Sequence, residues 1–217
     1  MSNIESNIAS IRRELPEEVT LACVSKFKPS EDILEAYRCG ERVFAESRPQ
    51  EFCQKAAELP KDICWQFIGH LQTNKLKMVL PYASLIQSVD TLHLIEAIDA
   101  AISAGTPLCL GDHVDILLEC HIAHDSTKQG FSIDEADALI SSWPFRNIRL
   151  RGLMGMASFT EDTALIEQEF LSLKALFDKH KGGSFDTLSM GMSGDWAIAK
   201  RCGATMVRIG SSIFGAR

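Results

Sequence analysis

The chain has 217 residues, 46% of them hydrophobic and 24% charged, a size and mixture that suit a soluble domain with a sizeable buried core. Its 22 lysines and arginines against 29 acidic residues leave a net charge of −7, which argues against a nucleic-acid or anionic-membrane surface and favours small-molecule partners. No apolar run approaches the roughly 20 residues that span a bilayer, the first residues lack the basic start and apolar stretch of a signal peptide, and seven cysteines without a CxxC pair read as reduced cytosolic thiols, not a zinc framework.

Ile4, Ile8, Ile11 and Leu15 stand at helical spacing and predict a first helix over about Ile4–Glu14, ended by Pro16. Strands are then expected near Leu21–Ser25, Val43–Phe44, Ile63–Phe67, Leu85–Ser88, Val114–Cys120, Ile148–Leu153, Thr187–Ser189 and Met206–Ile209. Helical stretches lie between them, over Ile33–Cys39, Gln50–Leu59, Asn74–Leu80, Thr91–Ala104, Ile133–Ser142, Ala164–His180 and Trp196–Arg201. Thr91 is placed to cap its helix, with Leu92, Ile95 and Ile98 on one side, and Ser132 with Glu135 forms a candidate capping box. Cys23, Cys64 and Cys120 lie in or beside strands and read as small core residues.

Strands separated by single helices need right-handed crossovers and a parallel sheet. Repeated along the whole chain, this order predicts a single (β/α)8 TIM barrel over residues 1–217 with an extra N-terminal helix; an open doubly wound sheet is the rival architecture. In a barrel, function belongs at the C-terminal ends of the strands.

Lys26 stands at the first of those ends, closing the run Leu21-Ala22-Cys23-Val24-Ser25-Lys26. A buried lysine has a lowered amine pKa and can attack an aldehyde; the other reading is a lysine just past the strand with its head in water. After the seventh and eighth strands come Gly191, Ser193 and Gly194, then Gly210 and Ser211, the loops that commonly bind phosphate in barrels. Ser193 suits either a phosphate oxygen or a plain helix cap, and Gly210 and Ser211 suit either a cradle or a turn. Arg208 lies in an apolar strand and needs a partner: a ligand, or a structural carboxylate such as Glu119 or Asp186. A lysine, an arginine and a phosphate cradle together match what pyridoxal 5′-phosphate requires. Met154, Met156, Met190 and Met192 are candidate pocket walls. His121 and His124 stand three apart but on a strand end and loop, which disfavours a metal, and Glu119 and Asp125 make no convincing acid pair.

These segments carry a resemblance. Val24-Ser25-Lys26-Phe27-Lys28-Pro29, Phe44 to Glu51, Trp65 to Lys75, Ser88-Val89-Asp90, Gly152-Leu153-Met154, Leu188 to Ser193 and Met206 to Arg217 occur in the order of the pyridoxal phosphate homeostasis protein family, also called YggS-like. That family is similar to the N-terminal barrel of alanine racemase. The resemblance implies one barrel holding pyridoxal phosphate as a Schiff base on Lys26, with Ser193, Gly210 and Ser211 at the phosphate and Arg208 at the pyridine nitrogen. It implies a protein of vitamin B6 homeostasis whose partners are the cofactor and pyridoxal phosphate-dependent apoenzymes. The unclustered cysteines and the missing export signal point to the cytoplasm, and the lack of a heptad or extended apolar helix face to a monomer. Ala45, Ser47, Gln66 and Gly194 depart from the family's usual residues, and Ser47 lacks the two-ended amide of an asparagine. The chain stops at Arg217 without the tyrosine-bearing second domain of alanine racemase, and its two tyrosines, Tyr37 and Tyr82, read as packing residues. A carrier is therefore favoured over a weak racemase using water or His70, or an aldolase using Lys26 on a phosphosugar.

Overall fold

The computed structural model describes residues 3–124 and 129–215; Asp125 and Arg217 lie outside the described residues. The strands are β1 (Thr20–Val24), β2 (Val43–Glu46), β3 (Cys64–Phe67), β4 (Leu85–Val89), β5 (Val114–His121), β6 (Ile148–Met156), β7 (Thr187–Ser189) and β8 (Met206–Ile209). They form a closed barrel in sequence order, all pairs parallel, and β8 returns to β1 with Thr20 beside Met206 and Cys23 beside Ile209. The closed barrel, and not the open sheet, is the architecture.

The helices are α1 (Asn3–Glu14), α2 (Ser30–Arg38), α3 (Pro49–Glu58), α4 (Leu76–Val79), α5 (Leu92–Ser103), α6 (Ile133–Ser141), α7 (Thr163–His180), α8 (Trp196–Arg201) and α9 (Ser211–Phe214). Thr91 caps α5 by accepting from the Leu94 amide, and Ser132 and Glu135 form both halves of the capping box on α6. The helices bury apolar stripes: Ile4, Ile8 and Ile11 on α1, which packs against α2 and α9, and Leu94, Ile95, Ile98 and Ala101 on α5. Leu92, expected on that stripe, is 45% exposed at the first position of α5. Cys64, expected in the core, is the exposed first residue of β3.

Inside the barrel the side chains are small or flexible, among them Ala22, Val24, Ala45, Leu117, Met154 and Met206. The buried Gln66 carbonyl accepts from Gln87 on the neighbouring strand, and Gln87 accepts from Ser189 across the interior. The β5–β6 register slips between Ile116 and Leu117, and Gly152 absorbs the crowding, since a Cβ there would meet the Thr187 carbonyl at 1.8 Å. At the base, buried Asp115 accepts two bonds from Arg149 and one from Arg151, which also pairs with Asp186. Among the described residues no helix is long and apolar enough to cross a membrane.

Three expectations change. The stretch Asn74–Leu80 divides into a 3-10 turn, Thr73–Lys75, and α4. β2 runs two residues beyond Phe44 because Glu46, fully buried, is neutralised by a lysine on α3. The segment after β8 is no simple loop, since Ser211 opens α9.

Candidate functional site

Lys26 lies two residues beyond β1, half-buried, at the C-terminal mouth of the barrel. It sits inside a tight turn in which the Lys28 amide donates to the Ser25 carbonyl at 3.0 Å and Phe27 takes a left-handed φ of 65°. Lys28 ties the turn to the last helix by donating to the Phe214 carbonyl at 2.9 Å.

Across the mouth, the β7 and β8 ends meet. The Ser193 hydroxyl accepts from the amides of Gly210 and Ser212, each at 3.3 Å. Ser193 is therefore not the cap of α8; Asp195 holds the N-cap position, and its carboxylate accepts the Met192 amide at 2.5 Å. That bond holds the loop before the helix and is not a side-chain cap of α8 itself. Gly191 has a φ of +91°, and a Cβ there would come within 2.5 Å of the Ala199 Cβ, so the loop can close onto α8 only with glycine. Its carbonyl accepts the Arg208 amide at 2.9 Å.

Arg208 is buried within the barrel and its guanidinium donates to Ser189 at 2.7 Å and to the Gly155 carbonyl at 3.0 Å. Burial lowers its pKa to about 10, while Glu119 and Asp195 pull it back. Asp186 is no partner of Arg208; it belongs to the base of the barrel with Arg151. Glu119 is pushed up to about 7, chiefly by burial and then by the charge of Asp90, with Arg208 and His70 opposing.

Lys26, Ser193, Arg208, Gly210 and Ser211 line one cavity of about 470 Å³, walled by Val24, Ile68, Met154, Met156 and Met192. Met190 is instead core. A larger cleft of about 650 Å³ at the base involves none of these residues; it is lined by residues such as Trp143, Arg149 and Phe185. His70 is 64% exposed in its side chain and lies 3.4 Å from Asp90, outside the cavity lining. Tyr37 donates to Asp62 at 2.8 Å and Tyr82 is 38% exposed, both away from the cavity. His124 faces Glu169 at 3.0 Å, not His121.

The sequence reading missed Glu46, Glu51 and Lys55. Lys55 is the more deeply buried lysine, at 6% exposure, while Lys26 is half-buried. The available signal was a Glu51–Lys55 pair at i,i+4 with Lys55 set between Phe52 and Ala56 on the apolar side of a helix.

The family model for the N-terminal domain of alanine racemase matches residues 1–217. The chain is 36% identical over 235 residues to the pyridoxal phosphate homeostasis protein of Pasteurella multocida, covering 99% of this chain and 97% of that one. It is 32% identical over 236 residues to the pyridoxal phosphate homeostasis protein of Escherichia coli K12, covering 100% and 98%. Among solved structures it is similar to PipY of Synechococcus elongatus with pyridoxal phosphate bound, at a TM-score of 0.84 and 32% identity, covering 98% and 100%. Alanine racemase from E. faecalis shares the fold alone, at a TM-score of 0.74 and 17% identity, covering 99% of this chain and 58% of that one.

Proposed function

The chain belongs to the pyridoxal phosphate homeostasis family of alanine racemase-like barrels, and we propose that it binds pyridoxal 5′-phosphate at the mouth of the barrel, on Lys26, and serves intracellular vitamin B6 homeostasis. The observation that carries this reading is the convergence of an amine, two hydroxyls, backbone amides and a guanidinium on one cavity with apolar walls.

That donor set fits the cofactor. Bound pyridoxal phosphate supplies an aldehyde that condenses with a lysine amine, a ring nitrogen and a dianionic phosphate. Lys26 provides the amine at the mouth. Ser193, Gly210 and Ser211 provide hydroxyls and amides for an anion, close to the cation of Arg208. Arg208 at a ring nitrogen disfavours a proton there, because two positive charges would share a buried site. An unprotonated ring withdraws electrons weakly, which suits holding the cofactor more than broad amino-acid chemistry. We place the protein in the cytoplasm, as a monomer that yields its cofactor to pyridoxal phosphate-dependent apoenzymes.

The test is the absorption spectrum of the protein with pyridoxal phosphate, wild type beside Lys26→Ala, followed by borohydride reduction and peptide mass mapping. A visible-region band lost in the variant, with the reduced adduct on Lys26, is expected. Absence of both band and adduct in the wild type would overturn the reading. Deuterium exchange at the α-carbon of amino acids in D2O separates a carrier, which shows none, from a racemase.

A further inference from the structure

Glu46 and Lys55 are buried charges that the cofactor site does not use. Lys55, on α3, points its ammonium back under the turn that bears Lys26. Its three N–H groups have three acceptors: the Ser25 carbonyl at 2.8 Å, Glu46 Oε1 at 2.6 Å and Glu51 Oε1 at 2.7 Å. Both carboxylates then reach the turn themselves. Glu46 Oε1 accepts from the Ser25 hydroxyl at 2.8 Å, and Glu51 Oε1 accepts from the Phe27 amide at 2.7 Å.

Three of these five bonds end on the residue before Lys26 or the residue after it, and the other two join Lys55 to the carboxylates that make two of those three. The turn needs such fixing, since Phe27 is a bulky residue at φ 65°, a conformation that L side chains other than glycine rarely keep without support. The Arg48 guanidinium, 4.2 Å from the centre of the Phe27 ring, adds a further hold from the N-cap residue of α3. Nothing in folding the barrel requires a buried lysine with two carboxylates at this place; an apolar residue would fill the space between sheet and helix at less desolvation cost.

We propose that Lys55 is a positioning residue for Lys26: with Glu46 and Glu51 it clamps Ser25 and Phe27, and so fixes where the Lys26 amine is presented to the cavity. The role of the Lys26 amine itself rests on the cofactor reading above; the clamp on the turn does not.

Three variants test this by two independent readouts: amide hydrogen exchange of residues 25–28 in protein free of cofactor, and affinity for pyridoxal phosphate. Lys55→Met removes the hub. Glu51→Ala removes the acceptor for Phe27 at a partly exposed position and guards against a Lys55 variant that fails to fold. Glu51→Gln keeps an acceptor oxygen. In Lys55→Met and Glu51→Ala, exchange at residues 25–28 should quicken and cofactor affinity should fall, each by about tenfold, the factor carried by one charge-assisted hydrogen bond. Exchange at 206–209 should not change, and Glu51→Gln should recover most of the affinity. Unchanged exchange at 25–28 in both variants would overturn the proposal, whatever the affinity. Faster exchange in the variants of a protein whose wild type binds no pyridoxal phosphate would retire the cofactor reading and uphold the clamp.

Discussion

Arg208 donates to the Ser189 hydroxyl at 2.7 Å, and that hydroxyl donates onward to Gln87 at 2.6 Å, so a guanidinium on β8 is joined through β7 to β4 across the barrel interior. A second arm of the same guanidinium holds the Gly155 carbonyl on β6. The planar fork is what makes two targets reachable, and an ammonium has no fork. Arg208→Lys is therefore expected to keep the charge and lose one bond, at about 1.5–3 kcal/mol for a charged donor. For a chain of this size that lowers the melting temperature by about 3–12 °C. Cofactor affinity should fall with it, which titration of the visible band will show.

Glu119 supplies a pH test. Its carboxyl is buried beside Asp90, and its pKa rises from an ordinary 4.5 to about 7. Between those values the folded chain binds a proton that the unfolded chain has released, so stability is greatest below about pH 4.5 as far as this group is concerned. It is lost as pH rises to about 7, and stays lost above. Glu119→Gln removes that loss. The variant should gain on the wild type by about 3 kcal/mol between pH 4.5 and pH 8, at about 1.4 kcal/mol for each tenfold change in proton affinity. Denaturant midpoints at the two pH values measure it, and an equal difference at both would contradict the cause assigned.

The contrast between Thr91 and Lys55 shows what the sequence could and could not reveal. Thr91, Ser132 and Glu135 were legible because a cap is local: donor and acceptor lie within three residues. The barrel was legible for a similar reason, since each strand is an apolar run of its own and the alternation with helices dictates the connections. Glu46 and Lys55 were not legible, because each is acceptable inside only by virtue of the other, on a different element. Arg208 was recognised as needing partners, but Ser189 and Gly155 come from strands whose register no local pattern prescribes. Ser193 read equally as a cap or a ligand, and only the approach of β8 turned its oxygen toward Gly210 and Ser212.

Gly191→Ala tests the loop that carries Ser193. The residue has a φ of +91°, and the added methyl would stand 2.5 Å from the Ala199 Cβ and 3.0 Å from the Trp196 Cα. Left-handed strain of roughly 1–2 kcal/mol adds to overpacking of roughly 1–3 kcal/mol. The loop can relieve this only by lifting off α8, which draws the Gly191 carbonyl from the Arg208 amide. A stability loss of about 2–5 kcal/mol is expected by denaturant unfolding, with weaker retention of inorganic phosphate as a competitor of the cofactor.

Glu169, on α7, gathers two loops of the mouth. Although buried, its carboxylate accepts from the Ser158 amide at 2.7 Å, the Ser158 hydroxyl at 2.6 Å, the His124 amide at 3.1 Å and the His124 ring at 3.0 Å. Burial alone would raise its pKa, yet the bonds from Ser158 and His124 outweigh burial and hold it below the ordinary value. A lowered pKa reverses the sign found for Glu119: the stabilisation is present above about pH 4.5 and is lost as pH falls through the folded value. Glu169→Gln turns an amide NH2 toward groups that are themselves donors, so it should cost about 2–4 kcal/mol at pH 7, more than one charged hydrogen bond and less than the sum of four. The gap between the two proteins should narrow as pH falls and the wild-type carboxylate takes up a proton. Thermal unfolding at pH 7 and at successively lower pH decides it, since a gap that never narrows would mean that the side chain's shape, and not its charge, ties His124 to Ser158.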